Sequence, residues 1–361
     1  MISPTHATPS RQAHIDPGVG MAMLAALLFG LSAPLAKRLL DVTAPQLLAG
    51  LLYLGSGSGL LLVVLARRNR AAAEAPLTRR DAPWLAGAIC MGGIVAPVLL
   101  MIGLTYSVAS TASLLLNLEG VFTALLAWFV FRENVDRRIA LGMAAIIAGS
   151  VVLSWQGNLT ASGIIGPLAI AGACLAWGID NNLTQKVSAG DPVQIAMLKG
   201  LIAGIVNFSI AVALGKSMPA GRVVVSALVL GFLSYGLSLV LFILALRRLG
   251  TARTGAYFST APFVGAIASL LLFRDPVTWS LVIAGLSMTA GVWLHASEHH
   301  QHRHTHAALE HAHLHVHDTH HQHAHNASDP PGEPHSHAHR HAPLEHAHAH
   351  YPDIHHRHTH D

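Results

Sequence analysis

The chain has 361 residues, 52% of them hydrophobic and only 11% charged, with a mean hydropathy of +0.48. A soluble enzyme of this length would not normally reach those values. Histidine is unevenly spread: 24 of the 27 fall in the last 63 residues, leaving only His6, His14 and His295 elsewhere. The formal charge of +4 divides after Glu298 into a body with 19 Lys/Arg and 11 Asp/Glu and a tail with 3 and 7.

The first 17 residues are polar, with Pro4, Pro9 and Pro17, and no cleavage-site pattern follows the first apolar stretch, so no signal peptide is expected. A transmembrane helix needs about 20 mostly apolar residues to cross a hydrocarbon core of roughly 30 Å. Ten such windows follow, near 18–37, 44–66, 82–104, 107–130, 138–155, 164–185, 192–214, 223–246, 252–273 and 277–296. The connections are short, leaving no room for a soluble domain between spans. Cys90 and Cys174 both lie in predicted spans and read as packing residues rather than a disulfide or thiolate site. The GSGSG run at Gly55–Gly59 lies within the second window, away from any strand–helix turn, and reads as a surface for close helix approach, not a nucleotide loop.

Lys and Arg beside the spans set orientation, because cytoplasmic loops carry the excess. With the N-terminus inside, 16 fall on the cytoplasmic side and 5 (Lys37, Arg38, Lys216, Arg222 and Arg274) on the other. Both termini are therefore expected in the cytoplasm, in a cell (inner) membrane.

The two halves align. FGLSAPLAKRL from Phe29 matches WGIDNNLTQKV from Trp177, and EGVFTALLAWFVFRE from Glu119 matches APFVGAIASLLLFRD from Ala261. Five spans per half is an odd number, so the second half enters the membrane in the opposite sense. The expected fold is all-α integral membrane: ten transmembrane helices as two inverted five-helix repeats, residues 18–156 and 164–297, after a polar N-terminus (1–17) and before a disordered tail (298–361).

Three ionisable groups inside the spans need a reason, since one near the bilayer centre costs at least about 2.5–3.5 kcal/mol. Glu119 is the deepest; it reads as a coupling carboxylate that loads and releases a proton or cation, or as a ligand for a cationic substrate. Asp180, Asn181 and Asn182 form a second polar group, their side chains directed 100° apart, so they cannot all face one cavity. Asp180 and Asn181 are candidates for lining the route. Lys199 either snorkels to the surface or pairs with Asp180 or Glu119.

The aromatic-Gly starts of the first and sixth spans resemble the drug/metabolite transporter superfamily, in particular its ten-span, two-repeat EamA-type members. The ends of spans four and nine add to the likeness, through Pro262 and Asp275 in the second half and Glu133 in the first. Glu119 and Gly120 stand where the family more often has Pro, and Asp275 replaces the more usual Glu. The resemblance covers residues 18–296 and implies a transporter of small solutes without naming one.

From His299 histidine alternates with small or polar residues, and the tail is itself duplicated: 298–325 match 333–360 at 17 of 28 positions. Imidazole at period two suits divalent Zn, Ni, Co or Cu. The candidate ligands are His302, His304, His306, His311, His313, His315, His320 and His321 in the first copy. In the second they are His337, His339, His341, His346, His348, His350, His355 and His356. With little apolar content the tail is expected to be disordered without metal.

The first functional reading is a secondary transporter exporting a small metabolite or drug-like solute. Its alternatives are a transition-metal transporter whose tail collects the ion, or a membrane-anchored metal buffer or sensor. No cofactor is required, although a divalent metal on the tail is admitted. The expected partners are the small-molecule or ion substrate and membrane lipid, with a homodimer open and no nucleic acid.

Overall fold

A computed structural model describes residues 17–67, 77–131, 137–155, 161–187, 190–249 and 251–296, and in the tail 300–306, 309–315, 335–341 and 344–350. Glu133, the N-terminal 16 residues, and His320, His321, His355 and His356 lie outside the described residues. Each expected span is present, with ends within four residues of those read from the sequence. The first is α1 (Pro17–Gly30) with α2 (Ser32–Leu40), and the second is α3 (Pro45–Arg67). The third is α4 (Ala82–Ala88), a π-helical stretch (Ile89–Val95) and α5 (Ala96–Tyr106). The fourth is α6 (Ala109–Leu115) with α7 (Leu118–Phe131), and the fifth is α8 (Arg137–Ser154). Then come α9 (Ala161–Gln185), α10 (Pro192–Ala213), and α11 (Gly221–Gly231) running through a second π-helical stretch (Phe232–Leu237) into α12 (Ser238–Leu249). α13 (Thr251–Phe258), α14 (Ala261–Phe273) and α15 (Trp279–Ala296) complete the body. Eight of the spans are long and apolar enough to cross a membrane, and the shorter apolar helices Ala261–Phe273 and Trp279–Leu294 stand at the ninth and tenth places.

Small residues decide which helices meet. A Cβ on Gly57 would run into Gly200 and Leu201, one on Gly200 into Gly57, and one on Gly204 into Leu54, so α3 and α10 cross backbone to backbone. Gly55 and Gly59 abut Leu228 and Phe232 in the same way, which is the packing role expected of the GSGSG run. Around this crossing Leu48, Leu52, Leu100, Leu104, Ile170 and Ile195 are wholly buried. Large apolar side chains instead cover the outside, with Leu271, Trp279 and Trp293 all exposed, as lipid as solvent demands. Cys174 is buried as a packing residue; Cys90 is on an exposed face.

Matching irregularities recur in the two halves. The third and eighth spans both carry π-helical stretches, at Ile89–Val95 and Phe232–Leu237. The fourth breaks at Leu116–Asn117 and the ninth at Ser259–Thr260. The aligned glycines also pack alike: a Cβ on Gly30 would meet Val264, and one on Gly178 would meet Phe122, the residue aligned with Val264.

In the tail, β1 (His300–His306) pairs antiparallel with β4 (Leu344–His350), and β2 (Leu309–His315) with β3 (His335–His341). The composition leaves this segment without a hydrophobic core, yet its alternating pattern has the period of a strand, and four seven-residue runs adopt strand backbone. Of the candidate ligands, His302, His304 and His306 fall on β1, His311, His313 and His315 on β2, His337, His339 and His341 on β3, and His346, His348 and His350 on β4.

Candidate functional site

The break in the fourth span positions Glu119. After α6 the backbone tightens into short turns, with Leu116 N–H donating to Ser113 O, Asn117 N–H to Leu114 O, and Glu119 N–H to Leu116 O. The Asn117 side chain holds the turn by donating to Leu114 O at 2.9 Å. A new helix, α7, then starts with Glu119 in its first turn. A helix N-terminus concentrates positive potential, so a carboxylate is favoured there in a way it would not be in mid-helix. Asn181 Nδ2 donates to Glu119 Oε1 at 2.9 Å and to Thr123 Oγ1 at 3.2 Å. Glu119 is half-buried and Asn181 exposed, and a Cβ on neighbouring Gly120 would meet nothing within 4 Å. The pair therefore borders open space rather than the packed interior.

Asp180, one residue earlier, points elsewhere. Lys199 Nζ donates to its Oδ1 at 2.6 Å and Oδ2 at 2.8 Å, and to Thr184 Oγ1 at 3.1 Å, while Thr184 donates to Asp180 Oδ1 at 2.8 Å. Both charged side chains are buried, so the lysine reaches an ion pair, not the surface. Asn182 turns a third way, donating to Gly178 O at 2.8 Å and Thr123 O at 3.2 Å. The three polar neighbours thus separate around the helix, as their 100° spacing requires.

The π-helical stretch of the third span lies against this group. A π-turn displaces carbonyls from the regular ladder, and each needs a donor. Gly92 O receives two, from Tyr53 Oη at 2.7 Å and Trp177 Nε1 at 3.1 Å. Asn207 Nδ2 donates to Gly93 O at 3.1 Å and Ile94 O at 3.4 Å, and is itself oriented by Gln46. Gly92 is also where Asp180 makes its closest approach, since a Cβ there would overlap the carboxylate. Aromatic rings extend the site. Phe29 meets Trp177 edge-on at 6.1 Å, Tyr235 at 5.9 Å and Phe258 at 5.4 Å, while Tyr53 and Tyr235 lie 5.3 Å apart. Phe29 and Trp177 are the aligned aromatics that open the Gly-containing segments of the two halves.

Glu119, Asp180, Asn181 and Lys199 thus form two separate pairs on α9, Glu119–Asn181 toward α7 and Asp180–Lys199 toward α10. Tyr53, Tyr235, Thr184 and Asn207 join them without having been singled out in the sequence. The Gly92–Gly93 doublet in mid-span was the available signal, since consecutive glycines in an apolar helix mark close approach or an irregular turn.

The sequence profile of the EamA-like transporter family matches residues 16–155 and again 164–297. The chain belongs to the EamA-like transporter family. It is therefore a multi-pass membrane transporter of small solutes. It is 29% identical over 286 residues to an uncharacterized transporter of Methanothermobacter thermautotrophicus, covering 75% of this chain and 83% of that one. It is 24% identical over 268 residues to the uncharacterized transporter YvbV of Bacillus subtilis, covering 72% and 85%. One solved crystal structure shares the fold, with a TM-score of 0.58 at 18% identity over 77% of this chain and 95% of the other. The residues that carried the EamA-type resemblance have visible work in the second half. Pro262 lies in the first turn of α14. Arg274, at a left-handed φ of 54°, ends that helix, and Asp275 Oδ2 accepts from Ser110 N–H at 3.1 Å at the start of α6.

Proposed function

We propose that the chain is a secondary transporter that exports a small metabolite or drug-like organic solute by alternating access between two inverted five-helix repeats, residues 18–156 and 164–297. The observation that carries this reading is the Glu119–Asn181 pair, bordering open space at the N-terminus of a broken helix. Membrane transporters build substrate and coupling-ion sites at such half-helix ends, near the midplane and between repeats. Glu119 is the coupling group, Asn181 orients it, and the buried Asp180–Lys199 pair fixes the end of α9 against α10. The ring cluster around Phe29 and Trp177 suits the apolar body of an organic solute, and aromatic faces also attract a cation.

Capture from the cytoplasm is favoured by the far side of the body. There Lys37 Nζ donates to Leu104 O and, at 3.0 Å, to Ser107 O, while Asp275 holds Ser110 across the two halves. With both termini cytoplasmic, these contacts close the outer end. Purified protein reconstituted into proteoliposomes tests the reading with a panel of organic solutes under an imposed proton gradient. Gradient-driven movement by the wild type and its loss in Glu119→Gln, with the protein still folded, is the expected result. Undiminished gradient-driven transport by Glu119→Gln would remove Glu119 from the mechanism.

A further inference from the structure

The pairing of the tail strands follows the duplication in an unexpected way. The first copy supplies β1 and β2, and the second supplies their equivalents β3 and β4. Among the described residues, neither copy pairs its own strands with each other. β1 pairs with β4 and β2 with β3, so each ribbon takes one strand from each copy, and exchanging the copies turns one ribbon into the other.

The register places histidine opposite histidine. His302 stands opposite His348 and His304 opposite His346 in the first ribbon. The equivalent rungs of the second are His313 opposite His337 and His311 opposite His339. Residues two apart along a strand share a face, and residues directly opposite in an antiparallel pair have Cβ atoms about 4.5–5.5 Å apart. With His300 opposite His350 and His315 opposite His335, each ribbon has three such rungs in succession, six histidine positions on one face, and any two neighbouring rungs supply four. The positions between belong to the other face, where Arg303 stands opposite Ala347 and Glu310 opposite Arg340.

We propose that each ribbon is a binding site for one divalent transition metal of the class that takes imidazole nitrogen, Zn(II), Ni(II), Co(II) or Cu(II), built from two histidines of each tail copy. Four neutral imidazoles form a complete ligand set for such an ion. Because each site is shared between the copies, the duplication creates the sites rather than adding a second set to an existing one. Metal binding in turn holds the copies together, since ligand and strand pairing are one event. The proposal is independent of the transported solute and of Glu119.

The test is titration of the purified full chain with Zn(II) or Ni(II) against a competing chromophoric chelator. Two tight sites per chain are expected. A truncation lacking residues 333–361 keeps 13 of the 24 tail histidines but should lose both tight sites; retention of one would overturn the sharing. The double substitution His302→Ala and His348→Ala removes the middle rung of one ribbon, the rung that either neighbouring pair requires. It should abolish one tight site and leave the other, whereas loss of two histidines at His320 and His321, which belong to none of the described strands, should leave both. If both sites survive the removal of the middle rung, the histidine ladder has no part in binding and the proposal fails. Circular dichroism of the full chain with and without metal adds a readout of strand pairing, and an undiminished metal-induced strand signal in the middle-rung variant would count against it.

Discussion

Lys199 donates to both carboxylate oxygens of Asp180, at 2.6 and 2.8 Å, joining the last turns of α9 to the second turn of α10. Their side chains are only 7% and 8% exposed, so neither charge has water to fall back on. Removing one partner of a buried pair leaves the other uncompensated, at a cost of about 3–5 kcal/mol, whereas replacing both by neutral groups of similar size is often tolerated. Lys199→Met and Asp180→Asn should each lower the unfolding midpoint in detergent sharply. The double variant should recover most of the loss. A double variant as damaged as the sum of the singles would show that the two charges act separately.

Gly92 sets the distance at which that pair can form. Ala at this position would place its Cβ within the Asp180 carboxylate, so the helix must move or the ion pair must break. Gly92→Ala is expected to destabilise as strongly as Asp180→Asn and to remain damaging in that background, because Asn fills the same volume as Asp. Gly120→Ala supplies the contrast: a Cβ there meets nothing within 4 Å, and the folded protein should be unaffected. Equal effects of the two substitutions on thermal stability would contradict the packing at Gly92.

The spans and the two matching halves were readable because bilayer thickness acts on composition. Which polar residues would meet was readable only in part. Glu119, Asp180, Asn181 and Lys199 announced themselves as exceptions in apolar windows, and the 100° rule foretold that Asp180, Asn181 and Asn182 would separate. The first π-helical turn was signalled only by the Gly92–Gly93 doublet, because Ile89–Val95 otherwise has ordinary helical composition. Tyr53 consequently was not singled out and Trp177 entered only as the aromatic of an aligned segment, whereas the structure joins them through their shared acceptor, Gly92 O. In the tail, period-two histidine spacing was legible, whereas pairing across the copies depends on which strands meet.

Tyr53 and Trp177 share one acceptor, which leads to a non-additive expectation. Tyr53→Phe keeps the ring and removes one donor, so it should cost about 0.5–1.5 kcal/mol, and Trp177→Phe should cost more because it also empties volume at a buried site. Together they leave the buried Gly92 carbonyl without either donor, and the loss should exceed the sum. Additive unfolding shifts in the double-variant cycle would mean that one donor already contributes nothing.

Asn181 and Asn182 are neighbours in sequence with opposite expected phenotypes. Asn181 is exposed and donates to Glu119 Oε1, so its contribution falls on the group assigned to coupling. A hydrogen bond to a charged group contributes about 1.5–3 kcal/mol. If that energy orients Glu119 for transport, Asn181→Leu should slow gradient-driven transport roughly ten- to a hundredfold. The fold should change little, because the lost contact borders open space. Asn182 is buried and donates to Gly178 O and Thr123 O, both backbone carbonyls. Asn182→Leu leaves those contacts unmade and should lower the unfolding midpoint, while the fraction that remains folded transports at close to the wild-type rate. Measuring transport per folded molecule alongside thermal unfolding separates the two. Were Asn182→Leu to lose transport while Asn181→Leu kept it, the route would follow Asn182 rather than the Glu119–Asn181 pair.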